Sequence, residues 1–564
     1  MQPEVVVGIP ASPGLATGVA RIVGRVMPEP TERDADPAGT VERALDAVAI
    51  ELTELAERLR SEGHHDEAEI VGVGALIAND PVLRSQARDA AASGGSAVDA
   101  LLTVSEAHAS VIESLGDATL KERAIDIRQV GRRAASLAAQ THAPAPERNG
   151  ARVVLVAEEL GPADVIGLQS NSVAAGVALK GGASSHAAIV ARSLGIPLVL
   201  GVDRSILDVA DGTPLIVDGD AAKVTIHPSN EEVRKVITAM DAAARRVELL
   251  AQERSWPSQT IDGVHVALLC NVATPEEARV GFQSGAQGVG LLRTELPFLE
   301  SAYWPTEDEH RKALEPIFDQ LVGELVTVRV LDFGGDKVPP FLSVLAGNLH
   351  DVPPRGLPAL LDTPSALGAQ LRAILKAGAR SRLRIMLPMV TSLREVAHAR
   401  HLFQQAVEEV GVQAPPLGVM IEVPSAALLA DALAQEVDFF SIGSNDLTQH
   451  VLGLNRRDPG SQPALAAHPS ILTLIARVVR AGQARNVSVG VCGEAAGDPL
   501  VLPLIIGSGI RSISVGPARL DEVRARVRRL SAEVCRDVFR RAARAKSVDD
   551  VWDLVRVEAL PSIP

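Results

Sequence analysis

The stretch LGVMIEVPSAALLADALAQEVDFFSIGSNDL, residues 417–447, contains one complete strand–helix–strand unit. Its first and last apolar runs have the length of buried strands, and the alanine- and leucine-rich residues between them predict a helix. The alternation continues on both sides, with six further predicted strands at HVALLCNVA (265–273), GVGLLRTE (288–295), TVRVLDFGG (327–335), RIMLPMV (384–390), SVGVCGEAA (488–496) and RSISVGP (511–517). Eight such units predict a (β/α)8 barrel, although alternation alone leaves a doubly wound open sheet as the alternative.

The residues before the barrel divide into an α/β region and a helical block. Short strands are predicted at RVVLVA (152–157), SVAAGVAL (172–179), PLVLGV (197–202) and PLIVDG (214–219). The N-terminal strand is expected to join their sheet, which makes the helical block an insertion. A capping box formed by Ser229 and Glu232 opens an unbroken helix that leads to the barrel. The predicted domains are an α/β domain (1–28 and 145–228), a helical domain of about four helices (29–144), a linker helix (229–256) and the barrel (257–564).

The composition excludes several classes of partner. Among 564 residues, 46% are hydrophobic and 22% charged, as in a globular protein, but the formal net charge is −15 and aromatics make up 2%. Nucleic acid and anionic membrane surfaces reward basic patches and exposed rings, so neither is an expected partner. Three cysteines without a pairing pattern suit a reducing compartment. With no secretory signal and no apolar run of about 20 residues, the expected location is the cytoplasm.

Polar residues collect at the predicted carboxyl ends of the barrel strands, where barrel enzymes keep their active sites. The arginines, Arg293 and Arg329 with Arg456 in a following loop, suit a ligand with phosphate and carboxylate groups, because guanidinium binds both bidentately. Glu422 and Asp446 supply the one or two carboxylates by which Mg²⁺ is usually held. Singly, each charged residue also fits a rim salt bridge. Together they predict a small phosphorylated carboxylate and a divalent ion.

The segment GGASSHAAIVARSLGIP (181–197) gives the α/β region its own chemistry. Ser184 or Ser185 can cap a helix that runs from about Ala187 to Leu194, so His186 lies at a helix N-terminus. Free amides and the helix dipole favour a phosphate dianion there. Neutral imidazole is nucleophilic near pH 7, so His186 is the candidate phosphoryl carrier, with a capping histidine as the structural alternative.

These motifs resemble enzyme I of the bacterial phosphoenolpyruvate:sugar phosphotransferase system. The resemblance runs nearly end to end and rests on eight segments in one order: ASPGLATGVA (11–20), LKERAIDIR (120–128), GGASSHAAIVARS (181–193), GLLRTE (290–295), RVLDFGGDK (329–337), MIEVPSA (420–426), SIGSNDLTQ (441–449) and VCGEAAGD (491–498). It implies a swivelling phosphohistidine domain, an inserted helical domain that docks the carrier protein HPr, and a phosphoenolpyruvate-binding barrel that forms a homodimer.

The resemblance also implies a role for each site residue. His186 would be the phosphorylated nucleophile, and Cys492 would protonate the enolate to give pyruvate. Considered without the other motifs, Cys492 is best interpreted as a core residue. Phosphoenolpyruvate would be bound by Arg293, Arg329, Asn445 and Arg456. Glu422 and Asp446 would bind Mg²⁺. This division suits phosphoryl transfer, which depends on positioning and charge neutralisation more than on covalent help.

Three segments depart from the family pattern. Serine stands at 184 where the family usually has threonine, and VALKGG (177–182) lacks the aspartate that precedes the paired glycines. The helical segment IVGVGALIANDP (70–81) lacks the usual histidine and bulky residues, which weakens the case for HPr docking. In the loop DVPPRGLPA (351–359), Arg355 is kept but Pro358 replaces a second arginine.

Two other functions fit parts of the pattern. A dikinase or phosphoenolpyruvate synthase shares the phosphohistidine and barrel domains, but it needs a nucleotide-binding domain, and the residues before 150 contain no phosphate-cradling loop. A paralogue that kept the fold as a regulatory binding protein fits the altered loops. The retained His186, Cys492, Glu422 and Asp446 favour the enzyme.

Overall fold

The computed structural model divides the chain into two compact units, Met1–Arg246 and Val247–Pro564. The predicted domain boundaries within the first unit remain predictions. The structure describes residues 3–23, 36–61, 65–114, 118–139, 152–167, 173–182, 185–299, 301–333, 339–345, 355–454 and 462–560.

The first unit contains a mixed sheet whose strands come from both sides of the helical block. Its eight strands are β1 Glu4–Val7, β2 Ile9–Ser12, β3 Leu15–Val23, β4 Val153–Ala157, β5 Val173–Ala178, β6 Leu198–Leu200, β7 Pro214–Asp218 and β8 Lys223–Ile226. The order is β1-β8-β7-β3-β4-β5-β6-β2, with parallel pairing from β3 through β6. The N-terminal strands therefore join the α/β sheet, as predicted. Strand β8, which the sequence analysis did not predict, pairs antiparallel with β1 and β7.

Within the described residues, five helices lie between β3 and β4, where about four were predicted. The helices that begin in this unit are α1 Pro37–Ser61, α2 His65–Ala78, α3 Pro81–Ala92, α4 Ala97–Glu113, α5 Ala118–Ala138, α6 Pro162–Gly167, α7 His186–Ser193 and α8 Asn230–Gln252. Capping explains two of the boundaries: Asp80 accepts hydrogen bonds from the first-turn amides of α3, and Ser96 does so for α4. Ser229 and Glu232 form the predicted capping box at the start of α8.

The second unit is a closed parallel barrel, which decides against the open sheet. Its strands are β9 Ala267–Val272, β10 Val289–Leu292, β11 Leu325–Arg329, β12 Arg382–Leu387, β13 Leu417–Ile421, β14 Phe439–Ile442, β15 Ser488–Val491 and β16 Ser512–Val515. Each pairs with the next in the chain, and β16 closes the barrel on β9. All eight predicted strands are present. The barrel interior is filled by Leu291, Met386, Met420, Phe439 and Cys492, all buried.

Helices alternate with these strands and pack their apolar faces on the outside of the barrel. They are α9 Pro275–Gln283, α10 Glu307–Phe318, α11 Pro340–Leu345, α12 Leu357–Asp362, α13 Pro364–Ala377, α14 Leu393–Val410, α15 Pro424–Leu428, α16 Ala430–Leu433, α17 Ser444–Leu452, α18 Pro469–Arg485, α19 Leu502–Ser508, α20 Leu520–Val527, α21 Ala532–Ala542 and α22 Val548–Glu558. Apolar side chains of these helices and of the strands form one continuous core.

One polar side chain inside this core is not satisfied. His310 on α10 is 1% exposed, and neither of its ring nitrogens has a hydrogen-bond partner among the described residues. Its ring meets that of Phe298 edge-on, with 4.8 Å between centroids. Burial lowers the pKa of His310 to about 4, so the imidazole is neutral in the folded protein at physiological pH.

We expect His310 to make the barrel less stable in acid. In the unfolded chain its pKa returns to about 6.5, so between pH 6.5 and 4 the unfolded state binds the extra proton and gains stability. The resulting loss in the free energy of unfolding should approach about 3 kcal/mol at pH 4 and vanish above pH 7. Urea unfolding of the wild type and of His310→Met should therefore diverge as the pH falls from 7 to 4. A gap between their midpoints that does not change with pH would contradict this assignment.

Candidate active site

The polar residues predicted at the barrel strand ends line one cavity of about 440 Å³. Arg293 follows β10, Arg329 ends β11, Glu422 follows β13, Asn445 and Asp446 open α17 after β14, and Cys492 follows β15. The cavity therefore brings together every residue predicted for the barrel site except Arg456, which lies outside the described residues. Its position at the carboxyl ends of the strands is that of barrel-enzyme active sites.

Two arginines, Arg293 and Arg329, line the cavity. The guanidinium of Arg329 donates to Oε1 of Glu295 at 2.9 Å and lies 2.9 Å from Oδ2 of Asp332. Burial alone would lower the pKa of Arg329, but these two carboxylates raise it above its usual value. The Nε atoms of Arg329 and Arg293 are buried and have no hydrogen-bond partner among the described residues. Both guanidinium groups therefore keep donor capacity for a phosphate or carboxylate ligand.

Asn445 is oriented by the backbone beside it. Its Oδ1 accepts a hydrogen bond from the amide of Glu494 at 3.0 Å. This contact assigns the side-chain oxygen to the protein and leaves the amide nitrogen as a donor. Asn445 can therefore add a neutral donor to the arginines of the cavity.

A third arginine, outside the predicted site, occupies the centre of this network. Arg355 precedes α12; its Nε and Nη2 each lie 3.1 Å from an oxygen of Asp332, and its Nη1 donates to Oδ1 of Asp446 at 2.9 Å. Burial alone would lower the pKa of Arg355, but the two aspartates raise it above its usual value. The sequence contained a signal, because Arg355 is the arginine retained in the altered 351–359 loop.

Glu422 is held by the backbone of a neighbouring strand end. It is 1% exposed; its Oε1 accepts a hydrogen bond from the amide of Met389 at 2.7 Å, while Oε2 has no partner among the described residues. Burial raises the pKa of Glu422 well above its usual range, and the nearby Asp332 raises it further. With no cation bound, burial therefore favours the protonated carboxyl, and a cation at the unpartnered Oε2 would compensate the charge of the ionised form.

The amide that holds Glu422 belongs to a residue in an unusual conformation. Met389 has φ of 52°, in the left-handed region that residues other than glycine rarely adopt. Gly356 lies against it, and a Cβ at position 356 would fall 2.7 Å from Cγ of Met389. Only glycine fits there, which explains the residue that follows Arg355.

The carboxylates of Glu422 and Asp446 are compatible with Mg²⁺ binding. No group of three or more His, Cys, Asp or Glu side chains that could hold a metal ion occurs among the described residues. Mg²⁺ usually takes one or two carboxylates and completes its octahedron with water and substrate phosphate, so Glu422 and Asp446 suffice.

Cys492 is a buried thiol. Its side chain is 6% exposed, and Sγ accepts a hydrogen bond from Oγ of Ser441 at 3.0 Å. Burial raises the pKa of Cys492 to about 11, so the group carries its proton at neutral pH. A protonated thiol that lines the cavity can act as an acid toward a bound ligand.

A buried amide fixes the strand ends that carry the arginines. Gln370 on α13 is 0% exposed; its Oε1 accepts from the amide of Leu331, and its Nε2 donates to Oγ1 of Thr294 at 3.0 Å. Thr294 in turn donates to the carbonyl of Arg329. This connection of β10 to β11 was not predicted, since a glutamine within a helix gives no sequence signal.

His186 begins α7 in the first unit, as predicted. Ser185 is the N-cap and accepts a hydrogen bond from the amide of Ala188, whereas Ser184 lies outside the described residues. Oδ2 of Asp126, a buried carboxylate on α5, lies 3.3 Å from Nδ1 of His186. Asp126, within the LKERAIDIR segment, was not predicted beside His186.

Comparisons with known proteins follow the same division of the chain. Models of phosphoenolpyruvate-utilising enzymes match in three parts: the N-terminal domain over residues 7–123, the mobile domain over 150–222 and the phosphoenolpyruvate-binding domain over 247–532. The fold and these matches define a phosphoenolpyruvate-utilising enzyme.

Individual relatives narrow the class. A phosphoenolpyruvate-protein phosphotransferase of Staphylococcus carnosus is 33% identical over 97% of this chain and 98% of that protein. Multiphosphoryl transfer proteins of Rhodobacter capsulatus and Xanthomonas campestris are 35% and 34% identical, and the chain spans 67% and 66% of their length. A solution structure of an enzyme I protein matches 42% of this chain and 99% of its own, with 29% identity and a TM-score of 0.33. The chain belongs to the phosphoenolpyruvate-protein phosphotransferase family, which confirms the resemblance to enzyme I.

The described part of the chain contains no helix with both the length and the apolar composition that crossing a bilayer demands.

Proposed function

We propose that this protein transfers the phosphoryl group of phosphoenolpyruvate to His186 and from there to a histidine of the carrier protein HPr. The observation that carries the proposal is the barrel cavity, in which Arg293 and Arg329 lie with the carboxylate Glu422 and the protonated thiol Cys492. This combination suits a ligand with phosphate, carboxylate and a carbon to be protonated. Family membership supports the acceptor, a cytoplasmic location and a homodimer formed through the barrel.

The side chains divide the chemistry between the two units. Asp126 beside Nδ1 of His186 favours the tautomer with its proton on Nδ1, which leaves Nε2 as the nucleophile. Nε2 forms the bond to phosphorus while the bond from phosphorus to the enol oxygen breaks. The enolate left behind takes the Sγ proton of Cys492 on its methylene carbon, which yields pyruvate, and the thiolate regains a proton from solvent.

The arginines and carboxylates serve binding and charge neutralisation. Arg293, Arg329 and Asn445 provide donors for phosphate and carboxylate oxygens. We assign Arg456 to the same role from the family resemblance alone. A Mg²⁺ ion held by Glu422 and Asp446 would withdraw charge from the phosphoryl group during transfer.

The helical block is the proposed docking region for HPr. Helix α2 is rich in apolar residues, and its Leu76 is 71% exposed. The support for HPr docking at this block is the resemblance to enzyme I, and the departures in segment 70–81 fall on this helix and the turn that follows it.

The proposal is tested by incubating the protein with phosphoenolpyruvate labelled in its phosphoryl group. We expect label on the protein that is stable in base and lost in acid, as is typical of a phosphoramidate, and that moves to HPr when HPr is added. An absence of protein-bound label in the presence of Mg²⁺ would contradict the proposed function. Base-labile label would place the phosphoryl group on another residue type.

A further inference from the structure

We propose that Arg355 is a positioning residue that shares Asp446 with the divalent cation. In this arrangement Arg355 is the counterion of Asp446 and Asp332, and a cation that takes the Asp446 oxygen displaces it. The inference rests on the proposed function, because it takes Asp446 to be a cation ligand. It assigns to Arg355 a role in cation binding that is separate from any contact with substrate.

The contacts of Arg355 identify the two carboxylates that it neutralises. Its guanidinium forms a fork on both oxygens of Asp332, at 3.1 Å each, and its remaining terminal nitrogen reaches Oδ1 of Asp446 at 2.9 Å. Asp332 is shared, because Arg329 lies 2.9 Å from its Oδ2. Arg355 is therefore the group that ties Asp446 to the rest of the charged network.

Oδ1 of Asp446 cannot bind the divalent cation and the Arg355 guanidinium together without repulsion between the two positive groups. A Mg²⁺ ion binds carboxylate oxygen at about 2.0–2.1 Å and requires near-octahedral geometry. A guanidinium nitrogen at 2.9 Å from that oxygen would then lie within a few ångströms of the ion, and two like charges that close together repel. Cation binding and the Arg355–Asp446 pair are consequently expected to oppose each other.

Arg355 is better placed to move than the other arginines of the cavity. Arg329 ends a barrel strand and its side chain is 9% exposed, whereas Arg355 lies in a loop before α12 with a side chain that is 23% exposed. The next residue, Gly356, has φ of 58°. Arg355 also lines the cavity, so a displaced guanidinium remains beside the ligand.

The test measures Mn²⁺ binding to the full-length protein by electron paramagnetic resonance, without substrate or turnover. Arg355→Ala should bind Mn²⁺ at least about fivefold more tightly than the wild type, a typical coupling between two sites. Arg293→Ala is the matched control: it removes one positive charge from the same cavity, but its nearest ion partner is Glu277 at 3.9 Å. Arg293→Ala should increase Mn²⁺ affinity distinctly less than Arg355→Ala does.

Four results would contradict the proposal or the metal site on which it rests. If Arg355→Ala and Arg293→Ala increased Mn²⁺ affinity equally, the cause would be general electrostatics and the proposal would be overturned. Unchanged or weaker Mn²⁺ binding in Arg355→Ala would also overturn it. Arg355→Lys keeps the charge but cannot bridge both aspartates, and it replaces the alanine variant if that variant folds poorly. It should bind Mn²⁺ with an affinity between those of the wild type and Arg355→Ala. Wild-type affinity in Arg355→Lys would also overturn the proposal. Asp446→Ala should abolish Mn²⁺ binding, and normal binding would instead remove Asp446 from the proposed metal site.

Discussion

Replacement of His186 by alanine is expected to abolish formation of the phosphoprotein. The imidazole is the proposed acceptor in the first unit, at the start of α7 and beside the carboxylate of Asp126, and alanine offers no nucleophile. Incorporation of label from phosphoenolpyruvate should fall to background. Binding of phosphoenolpyruvate at the barrel, measured by calorimetry, should change little, because the barrel contributes every residue assigned to the substrate.

A second histidine of the same unit provides the control. His108 is partly exposed on α4, where Nε2 lies 2.8 Å from the side-chain oxygen of Gln86, and it has no assigned role. His108→Ala should be labelled like the wild type. Normal labelling of His186→Ala would refute the assignment of the nucleophile, and loss of labelling in both variants would indicate a general folding defect.

Cys492→Ala is expected to bind phosphoenolpyruvate and Mg²⁺ almost normally and to release pyruvate slowly. The thiol is protonated at neutral pH because burial raises its pKa to about 11, and loss of a general acid typically costs about 10²- to 10⁴-fold in rate. Steady-state kinetics should show a lower kcat with little change in KM. Cys492→Ser keeps the size but offers a weaker acid, and should behave similarly.

The structural alternative for Cys492 predicts the opposite result. A cysteine that only packs the barrel interior would lose some stability on truncation and keep its turnover. Cys535→Ala, which truncates another fully buried cysteine of the same unit, measures that loss of stability in isolation. Wild-type kcat in Cys492→Ala would show that Cys492 only packs the barrel interior.

Much of the barrel site could be predicted because each of its residues follows a strand. A buried strand is recognised from its apolar run, and in a closed parallel barrel every strand delivers its next residues to the same rim. Arg329, Glu422 and Cys492 are thus brought together although 163 residues separate the first from the last. The position of His186 was predicted from a different signal, the glycines and serines that open its helix.

The remaining residues were beyond such reasoning because they belong to other elements. Asp126 reaches His186 from the helical block, and Gln370 reaches Thr294 from the outside of the barrel. Neither lies near its partner in sequence, and an aspartate or glutamine within a helix is ordinarily a surface residue. Arg355 was visible as a retained arginine, but only its contacts with Asp332 and Asp446 show what it does.

The burial of the cysteines has a consequence for the chemical durability of this protein. Cys270, Cys492 and Cys535 are all buried, and burial raises their pKa values to about 12, 11 and 12. At pH 7 the thiolate of Cys492 is populated to only about one part in 10⁴, and thiolate is the form that alkylating agents and peroxide attack. The thiol of Cys492 is therefore expected to react more slowly with iodoacetamide and peroxide than an exposed, acidic cysteine does.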